Sequence, residues 1–188
     1  MRPLGLCAFG GLRLGEVAGV QLGDVDFLRR TLAVQRQVQR LGGSQVEIRP
    51  PKYGSERTVY LPDDLVLILA RHVESQAIGS DPAAWLFWGE GGNPPDQNTV
   101  GHWWRKARQA AGLDGVRLHD LRHFYASGLI AAGCDVVTVQ RALGHMSATT
   151  TLGTYSHLWP TAEDRTRVAA ADLLASALSC APVVHQKA

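Results

Sequence analysis

The strongest constraint on this chain is a change of hydrophobic period at Pro62. Before it, three segments alternate apolar and polar side chains: TLAVQRQVQR at 31–40, QVEIR at 45–49 and RTVYL at 57–61. A period of two marks half-buried strands. Gly42-Gly43 and the stretch Lys52–Ser55 separate the segments, which predicts one small three-stranded antiparallel sheet. After Pro62 the apolar residues recur every three or four positions. PDDLVLILARHVESQA opens with proline and two acids, a favourable helix start. Further helices are predicted from about 98 to 111, from His119 to Gly133, over 135–143 and over 149–155. Thr161 is placed to cap a last helix reaching Leu178, followed by the tail APVVHQKA, which is expected to fray. A short helix over 13–20 (RLGEVAGV) precedes the strands. The expected class is mainly α with a small three-stranded antiparallel β-sheet (α+β).

Length and composition narrow the setting. The 188 residues suffice for one full hydrophobic core. No apolar run reaches the ~18 residues that a membrane span needs, so no membrane partner is expected. Cys7, Cys134 and Cys180 are odd in number and form no CxxC pair. That pattern fits a reduced, cytoplasmic compartment without disulfides or structural zinc. Net charge is only +2, yet residues 1–60 carry nine Lys and Arg against five acids. Arg36, Arg40, Arg49, Lys52 and Arg57 are five of those nine and cluster together. The cluster permits phosphate contact, and a solvated basic hairpin accounts for it equally well.

Three patches hold polar groups where the surrounding pattern is apolar. GGLRLGE places Arg13 at a helix start, with Glu16 three residues on. LHDLRHFYAS puts His119 and Arg122 on one helical face. In ALGHMSATTTLGTYSHL, His145 precedes Tyr155 by ten residues. Taken singly, each has a plain structural explanation. Arg13 and Glu16 form an ordinary ion pair, an HxxR histidine is more often a capped or core residue, and most tyrosines only pack. His123 reads as a structural or DNA-facing polar residue, and with His157 it makes no closed metal site. Trp103 and Trp104 offer stacking surfaces, but their spacing with Ala107 and Ala111 favours the core. Gly89–Gly92 lacks the Lys-Ser/Thr of a phosphate loop.

Together, in order and spacing, the patches resemble the tyrosine recombinases, the phage integrase family, over roughly residues 3–178. The resemblance implies a catalytic domain over 1–160, with residues 161–188 a C-terminal helix and tail. It makes Arg13 and Arg122 the paired catalytic arginines and Glu16 the acid that orients Arg13. Lys52, in PPKYGSERTVYLP, falls on the hairpin lysine. His119 completes HxxR, His145 is the second histidine and Tyr155 the nucleophile. Only twelve residues precede Arg13, so the family's N-terminal DNA-binding domain is expected to be absent from this chain. Gly10-Gly11 also stands where Thr or Ser before the glycine is commoner.

The implied chemistry needs these residue types. Two guanidiniums clamp the charged oxygens of a phosphodiester in transfer. Tyrosine, with an ordinary pKa of about 10, must give up its proton to attack, and an imidazole such as His119 can take it. Lys52 would protonate the departing 5′ oxygen, and His145 would donate a hydrogen bond to the transition state. The covalent 3′-phosphotyrosyl bond keeps the energy of the broken phosphodiester, so no cofactor, metal or ATP is expected. Implied partners are double-stranded DNA, further copies of the chain in a homo-oligomer (a tetramer on DNA) and an accessory directionality factor. A type IB topoisomerase-like activity and a non-catalytic DNA-binding remnant stay open as alternatives at this level.

Overall fold

A computed structural model describes residues 3–42 and 45–179. Helix α1 (Leu4–Gly10) and the short α2 (Leu14–Ala18) lead into β1 (Val25–Asp26), β2 (Thr31–Val34), β3 (Gln37–Gly42), β4 (Gln45–Arg49) and β5 (Arg57–Tyr60). The remainder is helical: α3 (Asp63–Ser75), α4 (Gln97–Ala110), α5 (Asp120–Ala131), α6 (Val136–Leu143), α7 (Ala148–Tyr155) and α8 (Ala162–Ser179). The chain is therefore mainly α with small antiparallel sheets. Among the described residues no helix is long and apolar enough to cross a membrane. Gly43, Cys180 and the tail after Ser179 lie outside the described residues.

The strands differ from the expectation of one sheet. β1, β2 and β5 form a three-stranded antiparallel sheet, whereas β3 and β4 pair only with each other. The segment 31–40 is thus two strands, broken at Gln35–Arg36. The break has a cause: the Arg36 guanidinium leaves the strand to bond Asp24 and the carbonyl of Gly19. Asp24 is buried, so its charge needs that partner. The Gln37 amide then donates to the carbonyl of Pro50 at 2.8 Å and closes the base of the β3–β4 hairpin. Alternation continues through the break, which is why the pattern hides it.

The largest core joins α1, α2, the three-stranded sheet and α3 through Leu6, Leu12, Val17, Leu32, Val59, Leu65 and Leu69. A second cluster under α5–α7 contains Ala126, Ile130, Val139, Leu143 and Tyr155. Trp104 is buried, with its indole N–H on the carbonyl of Val116, and Trp103 packs against the core. Both tryptophans therefore serve packing. Burial pushes the Cys7 thiol up to about 12, which leaves it unreactive. Helix α8 differs from the rest: residues 163–179 are exposed throughout, including Val168, Leu174 and Leu178.

Gly11 ends α1 with φ +65°, and a Cβ there would lie 2.4 Å from the Tyr125 ring. Gly112 has a similar φ of +64° but faces open space. Gly112→Ala is expected to cost about 1 kcal/mol from left-handed backbone alone. Gly11→Ala should cost about 2 kcal/mol or more because Tyr125 must also move. Urea unfolding of the two variants checks this; equal losses would mean that the ring approach does not matter.

Candidate active site

The N-cap of α2 is Arg13, held in extended backbone, and its own N–H donates to Glu16 Oε2 at 2.8 Å. The Arg13 side chain bonds Glu16 Oε1 at 2.8 Å, Ser55 Oγ at 3.0 Å and the Gly144 carbonyl at 3.2 Å. One residue thereby ties α2 to the β4–β5 connection and to the end of α6. Glu16 is 2% exposed and takes a second guanidinium, that of Arg57, at 2.9 Å and 3.2 Å. Burial by itself would raise the pKa of Glu16. Hydrogen bonds and charge from Arg57, with the backbone and charge of Arg13, outweigh that and hold it below the ordinary carboxylate value.

In the sequence Arg57 stands out only as one of the basic cluster, not as a site residue. It is 6% exposed at the side chain, donates its Nε–H to the Ala142 carbonyl at 3.0 Å and bonds the Ser55 carbonyl at 3.2 Å. A signal was present. Arg57, Val59 and Leu61 share one face of their strand, so alternation places a cation on an apolar side.

Arg122 on α5 is buried, and its two η nitrogens donate to the carbonyls of Gly11 and Leu143. These are the carbonyl-rich ends of α1 and α6, where helix dipoles favour cations. Each η nitrogen carries two hydrogens, so one on each is left for an oxygen in the cleft. Burial first, then the like charges of Arg13 and Arg57, push its pKa down to about 9; it remains cationic at neutral pH.

Arg13, His119, Arg122, His145 and Tyr155 line one open cleft of about 450 Å³, with His123 and Tyr53 beside them. Glu16 lies beneath it. Lys52 does not line the cleft: it is exposed on a 3-10 turn (Lys52–Gly54) between β4 and β5, and Tyr53 reaches the cleft instead. His145 is pushed down to about 4, by burial first and then by Arg122, Arg13 and Arg57, so its ring is neutral. Its Nδ1 meets Thr151 Oγ1 at 3.0 Å; with that hydroxyl donating, the ring proton sits on Nε2. His119 is also held below the ordinary value, first by burial and then by His123 and Arg122. Tyr155 is 4% exposed, and burial raises its pKa although Arg122 opposes the rise. Its hydroxyl lies 2.7 Å from Nδ1 of His123. His123 follows His119 by one helical turn, a spacing that places both on one face.

The sequence profile of the phage integrase family matches residues 3–161. This chain belongs to the phage integrase family. It is 30% identical over 180 residues to a tyrosine recombinase XerC-like protein of Caldanaerobacter subterraneus, covering 85% of this chain and 46% of that one. It is also 30% identical over 160 residues to the ICEBs1 integrase of Bacillus subtilis, covering 80% of this chain and 42% of that one. The chain thus spans less than half the length of these family members. Among solved structures, the Tn1549 transposon integrase in complex with a circular intermediate DNA superposes with a TM-score of 0.75. That match has 21% identity and covers 90% of this chain and 57% of that one, a likeness of fold.

The depressed histidines fix the sign of the pH dependence. His145 is neutral in the fold down to about 4 but titrates near 6.5 when unfolded. Between those values the unfolded chain binds the extra proton, so the stability present above pH 6.5 falls as pH drops toward 4. The thermal midpoint is expected to decline across that window, and His145→Asn should flatten the decline. An unchanged slope in the variant would mean that His145 does not carry the effect.

Proposed function

We propose that this chain is the catalytic domain of a site-specific DNA recombinase that cuts and rejoins strands through Tyr155. The observation that carries the reading is the convergence on one cleft of five side chains from four regions of the chain. Arg13 comes from the start of α2, His119 from the N-cap of α5 and Arg122 from its first turn, His145 from beyond α6, and Tyr155 from α7. The names of family members as recombinases and integrases favour strand exchange over supercoil relaxation or a DNA-binding remnant.

In this reading a scissile phosphate of double-stranded DNA sits between Arg13 and Arg122. Their remaining N–H groups bind its non-bridging oxygens and grow stronger partners as charge builds there. Glu16 and Arg57 act through Arg13 by fixing its plane. The neutral His145 donates from Nε2 to the same oxygens. Tyr155 Oη attacks phosphorus after an imidazole of α5, His119 or its neighbour, takes the phenolic proton. The departing 5′ oxygen takes a proton from Lys52, which the turn between β4 and β5 must bring inward. Two arginines supply the charge that a divalent metal supplies in other phosphoryl transfers. The setting proposed is the cytoplasm, with a directionality factor as accessory.

The exposed stripe Val168, Ala171, Leu174 and Leu178 on α8 supports assembly on DNA into a tetramer, each helix docking on a neighbouring copy. Removing residues 161–188 should leave the melting temperature of the free chain within about 2 °C and abolish complexes with more than one copy per DNA site. A large loss of monomer stability with intact higher complexes would overturn this.

Nicked suicide duplexes carrying the cognate site, incubated in EDTA, should yield a covalent protein–DNA adduct that Tyr155→Phe abolishes while DNA binding persists. Arg122→Ala is expected to slow adduct formation by about a hundred- to a thousandfold, equivalent to roughly 3–4 kcal/mol. An adduct that survives Tyr155→Phe, or maps elsewhere, removes Tyr155 as nucleophile.

A further inference from the structure

The family resemblance gives the proton of Tyr155 to His119, but the geometry points to His123: we propose that His123 Nδ1 is the base that deprotonates the Tyr155 hydroxyl. The inference rests on Tyr155 being the nucleophile. The hydroxyl lies 2.7 Å from His123 Nδ1, and the two rings meet edge to face with centroids 5.6 Å apart. That is the distance at which a base takes a proton without any rearrangement. His119 packs edge-on against the His123 ring, with centroids 4.8 Å apart.

The surroundings suit the task. On its own helix His123 faces His119, Arg122 and Asp120. From α7 it faces Tyr155, and Arg13 and His145 line the same cleft. With the Tyr155 hydroxyl donating, Nδ1 is the acceptor and the ring proton is on Nε2. Tyr155 is nearly enclosed, and no water-exposed route for its proton is needed when the acceptor is already bonded to it.

The step balances. As the Tyr155 Oη–P bond forms, the phenolic proton moves to Nδ1, and His123 becomes an imidazolium. The P–O bond to the leaving group breaks, and the 5′ oxygen takes its proton from the acid on the hairpin. In religation the 5′ hydroxyl attacks and returns its proton to that acid. The phenolate then leaves and recovers its own proton from His123, so the enzyme ends unchanged.

Bis(4-nitrophenyl) phosphate separates this step from leaving-group protonation and from DNA recognition, because nitrophenolate departs without an acid. With the full chain in EDTA, one equivalent of nitrophenolate should be released, with the phosphoryl group found on Tyr155 by tandem mass spectrometry. The rate should fall as pH is lowered, because an acceptor that already holds a proton cannot take the phenolic one. His123→Asn keeps an acceptor near the Nδ1 position but cannot take the proton. It should be slower by about a hundredfold or more and lose the acid limb. His123→Gly should recover rate with added imidazole, whereas His119→Asn should keep the acid limb. Circular dichroism establishes that each variant is folded. A folded His123→Asn within about threefold of the parent rate, or a rate that falls on the alkaline side instead, overturns the role of His123 alone. No phosphoryl transfer to Tyr155 in the parent chain, or an unchanged burst in Tyr155→Phe, overturns the nucleophile assignment beneath it.

Discussion

The Glu16 carboxylate sits almost wholly out of water between the guanidiniums of Arg13 and Arg57, and much of the molecule is arranged to keep it paired. A lone carboxylate there would cost several kcal/mol, and removing one partner of such a pair typically costs about 3–5 kcal/mol. Meeting that demand brings together pieces distant in sequence. Arg13 is three residues from Glu16, but Arg57 arrives from β5, and its Nε–H anchors the end of α6. The carboxylate is thus the point at which helix, sheet and the helical half of the chain are joined.

That arrangement leaves an excess of positive charge facing the cleft. Arg13 and Arg57 share the one carboxylate, and carbonyls hold the rest: Gly11 and Leu143 for Arg122, Gly144 for Arg13. Carbonyl dipoles orient a cation without neutralising it. A phosphate entering the cleft therefore finds donors already aimed and little reorganisation to make. Burial, reinforced by that field, holds His119 and His145 below the ordinary histidine value, so they serve as donors and acceptors rather than as further charges. Gly144 belongs to this scheme sterically as well. At φ +62° a Cβ would come within 2.9 Å of the Arg57 guanidinium.

Much of this was legible from residue order. The helices from α3 onward fall close to their expected positions because amphipathic period and caps are local properties. The division of the strands between a three-stranded and a two-stranded sheet was not legible, for the opposite reason. Alternation runs unbroken through Gln35–Arg36, and only the buried Asp24, twelve residues back, draws Arg36 out of line. Lys52 was legible as a turn residue, but its distance from the cleft depends on how the turn leans, which no local pattern encodes. His123 was set aside because a second histidine beside HxxR has no pattern of its own; its meaning comes from a hydroxyl thirty-two residues away.

The sequence by itself determined the family, the helical half and the identity of the groups that carry charge, because motif spacing and periodicity are written along the chain. The tertiary structure decided which of those groups touch. Arg57 became the second partner of Glu16, His123 the partner of Tyr155, and α8 was left uncovered. Each outcome follows from desolvation: once packing removes water from a charge or a hydroxyl, whichever complementary group is nearest in space must replace it.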